Sequence, residues 1–377
     1  MASRSEPTPL ALLLAERIRS GGPITFSEYM ETCLYHPLHG YYTKAGQHPR
    51  RDYFTSVDAS PLFGRLLGRQ FHEMWSLLDR PQPFWLIEAG AGTGHLAKQI
   101  LDCAASSWPE FHDALRFVAV ERSTSRRALQ SKILDTHMQG DKFASQEELP
   151  DEMASGCIFS NELLDAMPVH RVIREHNDLR EICVGFGKNG LCDEIQQLSS
   201  TALDEYFAEQ QISLLQEQQA EINLAACRWI AEAGAKLKRG FVLSIDYGHE
   251  ARELYDERHM RGTLLAYERH RASEDFFRAP GEQDLTAHVN FTALEINGRK
   301  SGLVRTGFTS QSRFLMALAR HGEFADLQSD GMSEPEQRQR RLLFKTLINP
   351  EGMGETFQVL IQHKGIEPRN LAGLQPL

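Results

Sequence analysis

The chain has 377 residues, 41% of them hydrophobic, which is enough for a sizeable core and long enough for one large domain with insertions or for two domains. A net charge of −10 argues against general binding of nucleic acid or of an anionic membrane, and no apolar run approaches the length of a membrane span. The six cysteines are scattered, with no C-x-x-C and no metal spacing, a pattern of reduced compartments. Near the N-terminus the apolar run Leu10–Leu14 is short for a signal peptide, and Glu6 and Glu16 are acids that a mitochondrial transit peptide avoids, so a cytoplasmic protein is expected.

Residues 8–20 read as a helix with Leu10, Leu13, Leu14 and Ile18 on one face, stopped by Gly21-Gly22-Pro23. Thr25 to Cys33 reads as a second helix, followed by an aromatic turn from His36 to Tyr42 and by Asp52-Tyr53-Phe54-Thr55-Ser56-Val57. Ser60-Pro61 then opens a helix through Trp75. From residue 84 strands and helices alternate, the signature of a doubly wound sheet: Phe84–Ile87, Leu115–Val120, Cys157–Ser160 and Phe241–Ile245 are the strands. Val169–Ile173 and Leu179–Phe186 form an added hairpin. Residues 198–238 read as amphipathic helix, with the Gln/Glu-rich stretch 209–221 on a solvated face. Residues 249–291 lack periodicity and read as a long, ordered, functional loop. Leu303–Phe308 is a strand, 311–321 and 334–347 are helices, and Phe357–His363 is a last strand. The expected organisation is an N-terminal cap over 1–80, a core over 81–365 with insertions at about 170–240 and 249–300, and a tail over 366–377.

Everything else is arranged around Trp85 to Ala97: an apolar strand, a run of alternating glycines, then the first turns of a helix. Such a cradle sits at the carboxyl edge of a parallel sheet, and its glycines let backbone approach a ligand where a Cβ would collide. The dinucleotide pattern G-x-G-x-x-G, aligned on Gly90 and Gly92, demands glycine at position 95, which is His95. The glycines instead fall at Gly90, Gly92 and Gly94, preceded by Glu88 at the strand end. This arrangement resembles the first motif of class I S-adenosylmethionine (SAM)-dependent methyltransferases. The chemistry agrees, since SAM has no phosphate and carries a sulfonium and an ammonium that an acid suits. Glu121, closing the second strand, is placed to accept hydrogen bonds from both ribose hydroxyls. The competing reading is an ordinary tight turn with exposed acids.

Asn161, Glu162 and Asp165 follow a central strand, at the edge where ligands collect. If a helical turn starts there, Glu162 and Asp165 share a face; the competing reading is capping by Asn161 with acids decorating a first turn. His270 and His288 are candidate proton acceptors or simply packed histidines, and Asp284 lies close by in sequence. No tight ligand spacing supports a metal, and no G-x-S-x-G elbow or paired Cys–His points to a Ser or Cys nucleophile.

Several segments together resemble the MidA-like family, which includes a mitochondrial arginine methyltransferase that assists assembly of respiratory complex I. They are Leu34-Tyr35 with Gly40-Tyr41-Tyr42, Asp52–Ser56, the Glu88–Gly94 loop, Ser160–Ala166, Asp246-Tyr247-Gly248, Gly262-Thr263-Leu264 and Pro280–Phe291. The resemblance implies an α/β fold with a doubly wound, mostly parallel sheet, a Rossmann-like class I SAM-dependent methyltransferase with helical and loop insertions closing over the site. It implies SAM as cofactor, contacted by Glu88, Gly90, Gly92, Gly94, Glu121 and Asn161. It also implies transfer of methyl to an arginine of a partner protein, of the respiratory-subunit type; charge and hydropathy argue against nucleic acid and membrane insertion. Guanidinium stays protonated at neutral pH and is a poor nucleophile, so Glu162 and Asp165 are expected to hold it, orient one nitrogen and take the proton, with His288 in reserve. The alternative, from another class, is an assembly scaffold that keeps the fold and SAM without turnover. A nucleotide-dependent oxidoreductase is disfavoured by His95.

Overall fold

The computed structural model describes residues 6–44, 61–138, 140–268, 271–320, 333–349, 353–367 and 370–376. The expected segment Asp52–Val57, Ser60 and His270 lie outside the described residues. The chain divides into two compact units interleaved in sequence.

The core unit carries described residues from 61–163, 229–248 and 297–376. Among the described residues seven strands run through it: β1 (Phe84–Ala89), β2 (Leu115–Val120), β3 (Phe143–Gln146), β4 (Gly156–Asn161), β5 (Gly240–His249), β6 (Val304–Ser310) and β7 (Phe357–Lys364). Their order is β6-β7-β5-β4-β1-β2-β3. The five strands from β5 to β3 pair in parallel, while β7 runs antiparallel to both β5 and β6. Strands covered on both faces need no polar alternation, which is why β1 reads as an apolar run over Phe84–Ile87 and β2 as one over Phe117–Val120. Helix Pro61–Leu77 buries Leu66, Leu67, Phe71 and Met74 at helical spacing, and the Phe71 ring lies 4.8 Å from that of Phe159 in β4. Chain order reverses between β1 and β4, the point where open parallel sheets collect ligands.

The expected cap over 1–80 and tail over 366–377 are drawn differently by the packing. Helix Pro61–Leu77 belongs to the core unit, as does the turn Ala372–Leu374. The Ala372 N–H donates to the Glu73 carboxylate at 2.9 Å, and the Gly373 N–H donates to Gln70 Oε1 at 3.1 Å.

The second unit joins residues 6–44, 164–228 and 249–296. Helices Pro9–Gly21 and Phe26–Tyr35 are each started by a threonine: Thr8 Oγ1 accepts from Ala11 N–H and Thr25 Oγ1 from Glu28 N–H, both at 3.1 Å. The expected hairpin is half of a four-stranded antiparallel sheet, ordered Gly190–Gln196, Asp178–Gly187, His170–Glu175 and Gln219–Ile222. The helix expected over 198–238 is therefore broken in two, Ala202–Gln210 and Leu224–Lys236. Gln211 in the left-handed region, φ +54°, ends the first piece. The glutamine-rich stretch is not a solvated face throughout. Gln218 is buried and donates to Tyr255 O at 3.1 Å, and buried Glu221 accepts from Thr263 N–H at 2.8 Å. The loop expected over 249–291 contains helix Ala251–Leu254 and a small sheet ordered Arg271–Ser273, Leu265–Glu268, Asp284–Thr286.

Candidate functional site

At the carboxyl edge of the core sheet, the three loop glycines all have left-handed backbone, with φ +72° at Gly90, +54° at Gly92 and +84° at Gly94. Their surroundings differ. A Cβ on Gly90 would stand 2.8 Å from Leu163 Cδ1, and one on Gly94 would stand 2.9 Å from Leu134 Cδ1. A Cβ on Gly92 would meet nothing within 4 Å. Gly90 and Gly94 are thus glycines of packing, and Gly92 is the one that faces open space.

Polar side chains hold this loop at both ends. The Gly90 and Ala91 N–H groups donate to Val120 O at 2.9 and 3.1 Å. Buried Gln130 donates to Gly92 O at 2.8 Å and accepts from the Ser145 hydroxyl. Glu121 accepts from Gly92 N–H at 3.0 Å through Oε2 and from Ser123 N–H at 2.8 Å through Oε1. Glu121 therefore clamps the loop, and each of its oxygens keeps a lone pair for a ligand donor. Sequence reasoning missed Gln130, which reads as one more polar position on helix Thr124–Ile133; only its burial distinguishes it.

Glu88 sits one strand over, 5% exposed, and its Oε2 is buried with no partner among the described residues. Burial, reinforced by the charge of Glu121, pushes its carboxyl up to about 8. At pH 7 it is mostly protonated, and a neighbouring cation would restore the carboxylate. Since its folded value lies above the unfolded value of 4.5, its contribution to stability is fully present below 4.5 and is lost as pH rises through 8. Thermal melts should therefore show the protein losing stability relative to Glu88→Gln between pH 5 and 8. Parallel melting curves across that range would remove the perturbed carboxyl.

In β4 the Ser160 hydroxyl and Asn161 Oδ1 are likewise buried without a partner among the described residues. Asn161 Nδ2 donates to Glu162 Oε1 at 3.1 Å. The helical turn expected to start here is absent, and Asn161 caps no helix: Glu162 has φ +52°, in the left-handed region. Its N–H donates to Ile245 O at 3.0 Å, carrying the β4–β5 pairing one residue beyond Asn161. Leu163 N–H donates to Asp246 Oδ2 at 3.1 Å. The shared helical face for Glu162 and Asp165 is therefore corrected, because a left-handed residue and an irregular turn give the chain no 3.6-residue period there.

The structure brings Glu88, Gly90, Gly92, Gly94, Glu121, Asn161 and Glu162 into one unit, while Asp165 and His288 belong to the other. There, Asp165 and Asp284 are both buried, and their charges, after burial itself, raise the Tyr267 hydroxyl. The Tyr42 hydroxyl donates to Asp284 Oδ1 at 2.8 Å. His288 lies among histidines, its ring centroid 5.4 Å from that of His249 and 6.4 Å from that of His259. Burial first, then those two rings, lowers its imidazole to about 4, so it is neutral at pH 7 and a weak proton acceptor. Among the described residues no group of three or more His, Cys, Asp or Glu side chains is arranged to hold a metal ion. Asn290 is structural: Nδ2 donates to the Tyr206 hydroxyl and to Gln210 Oε1, and Oδ1 caps helix Phe291–Lys300 at Ala293 N–H.

Residues 66–309 match a family of S-adenosyl-L-methionine-dependent methyltransferases. A Bos taurus relative named "Protein arginine methyltransferase NDUFAF7, mitochondrial" is 26% identical over 98% of this chain and 87% of its own length. The Homo sapiens protein of the same name is 26% identical over 96% of this chain and 85% of its own. A crystal structure from Burkholderia thailandensis with S-adenosyl-homocysteine bound is 30% identical and superposes with TM-score 0.85, covering 98% of this chain and 97% of that one. Both curated relatives are named as mitochondrial, which overturns the expectation of a cytoplasmic protein. That expectation rested on scattered cysteines, a short N-terminal apolar run and two N-terminal acids, compositional signs with little weight against relatives matched over nearly the whole chain.

Proposed function

The chain belongs to the MidA-like family of SAM-dependent methyltransferases, and from that premise we propose that it methylates an arginine side chain of a partner protein. SAM, when bound, supplies an electrophilic methyl group on a sulfonium. The residues at the sheet edge fit such a ligand. Glu88 offers a buried carboxyl lacking a partner at one oxygen, suited to a cation, and Gly92 leaves open the space a Cβ would fill. Glu121 offers lone pairs suited to hydroxyl donors. Because Glu88 must lose its proton to pair with a cation, affinity for SAM should rise with pH up to about 8, and Glu88→Gln should flatten that dependence.

The observation that carries the substrate half of the reading is Glu162, a half-buried acid in strained backbone at the end of β4. A carboxylate there can hold a guanidinium by charged hydrogen bonds and accept its proton as the nitrogen takes the methyl. Asn161, donating to Glu162 Oε1, would orient it. For Asp165 the proposal rests on chemistry: Asp165→Asn should slow transfer about tenfold at unchanged SAM affinity, as loss of one charged partner for a guanidinium predicts. Methylation kinetics showing no change would confine Asp165 to structure.

The partner class that family resemblance supports is a subunit of a respiratory complex. The test is incubation with methyl-labelled SAM and an extract of cells lacking the protein, followed by mass spectrometry. Label on an arginine of such a subunit is the expected result. Label confined to another residue type, or no label in protein, overturns the reading.

A further inference from the structure

Asp246 is completely buried on β5, next to β4, and so far has no role in the chemistry. Its two oxygens serve two backbone donors: Oδ2 accepts from Leu163 N–H at 3.1 Å and Oδ1 from Tyr247 N–H at 2.9 Å. The first of these donors is the residue immediately after Glu162. Glu162 itself is tied to the same strand one residue earlier, through Ile245 O. Two consecutive backbone N–H groups, at 162 and 163, are thus anchored to two consecutive positions of β5, at 245 and 246.

Those two anchors bracket the φ of +52° at Glu162. A non-glycine residue holds the left-handed region only where the surroundings over-determine it. Glutamate has no short side chain to bond its own backbone and ease the conformation, as asparagine or aspartate would. The restraint must come from outside, and the Asp246 carboxyl supplies half of it from within the sheet. The bond holds the backbone of Leu163, the residue whose side chain stands where a Cβ on Gly90 would fall.

We infer that Asp246 is a positioning residue for methyl transfer: it sets the left-handed turn that aims the Glu162 carboxyl. The inference rests on Glu162 acting in the chemistry. A plain structural tie would also be buried and doubly bonded, so the two roles are separated by how their losses combine. When one residue acts only through another, removing both costs no more than removing the second.

The experiment measures transfer of labelled methyl from saturating SAM into extract protein for Asp246→Ala, Asp246→Asn, Glu162→Gln and the Asp246→Asn/Glu162→Gln double variant. Melting curves and calorimetric affinity for S-adenosylhomocysteine accompany each. Asp246→Asn keeps one acceptor for Leu163 N–H, and Asp246→Ala keeps none. Expected are a rate loss on the order of tenfold for Asn and at least tenfold more for Ala, with product affinity within about threefold of unchanged. The double variant should be no slower than Glu162→Gln alone. Multiplying losses in the double variant, or equal rates for Asp246→Asn and the unchanged protein, overturn the positioning role. A Glu162→Gln variant of full activity overturns instead the reading of Glu162, which keeps the two failures distinct. If Asp246→Ala fails to fold, the Asn variant and its double decide the matter.

Discussion

Glu162→Gln is expected to lower turnover on the order of 10²-fold while SAM affinity stays within about 0.5 kcal/mol of the unchanged protein. Glutamine keeps the shape of the side chain and an oxygen that can accept from Asn161 Nδ2, a bond now 3.1 Å long. It meets the same left-handed backbone with the same strain, so the turn should persist. What it loses is the negative charge and the basic oxygen that the proposed reading gives to pairing with guanidinium and taking its proton. A 10²-fold loss is about 2.7 kcal/mol of transition-state stabilisation, in the range of one charged hydrogen bond together with general-base assistance. Rates for the variant equal to those of the unchanged protein, with a confirmed protein substrate, would make this acid structural.

Gly92→Asn should cost SAM binding at least on the order of 10²-fold, about 3 kcal/mol, in a protein that still folds. Asparagine tolerates left-handed backbone better than other non-glycine residues, so φ +54° adds only modest strain. The new side chain meets nothing within 4 Å at its Cβ, so the protein itself does not resist it. Only a ligand in that space would. Gly90→Ala is the contrasting control: its methyl would press on Leu163 at 2.8 Å, and its loss should appear in the melting temperature. Calorimetry that finds undiminished affinity in a folded Gly92→Asn variant would remove SAM from this edge.

Much of the core unit was legible because parallel buried strands write themselves as apolar runs. Phe84–Ile87 and Phe117–Val120 are unbroken apolar runs leading to Glu88 and Glu121, and the glycines between strand and helix mark the turn. β3 was not legible: four residues, Phe143–Gln146, at the end of the sheet, with two polar side chains of which Ser145 serves Gln130. Gln218 was misread because a glutamine buried by hydrogen bonds to Tyr255 O and Asp256 O looks, in a run of glutamines, like its solvated neighbours. The acids at 162 and 165 were visible as chemistry but not as geometry. A left-handed glutamate leaves no mark in sequence, since the bonds that impose it come from Ile245 and Asp246, more than eighty residues away. Asp246-Tyr247-Gly248 stands out in the sequence as a motif, and only the bond to Leu163 gives its aspartate a task.

The order of strands in the sheet also fixes a sequence of events in the making of the protein. β7 is the last of the seven strands along the chain, yet it lies between β5 and β6. Until Phe357–Lys364 has been made, β6 lacks its neighbour in that row and β5 lacks the strand that pairs it from Gly240 to Tyr247. The strands from β3 to β5 are made earlier, because all of their residues precede position 250. A nascent chain can therefore present a cradle for SAM well before its sheet is continuous. A strand edge left uncovered for that interval is open to mispairing until its partner arrives.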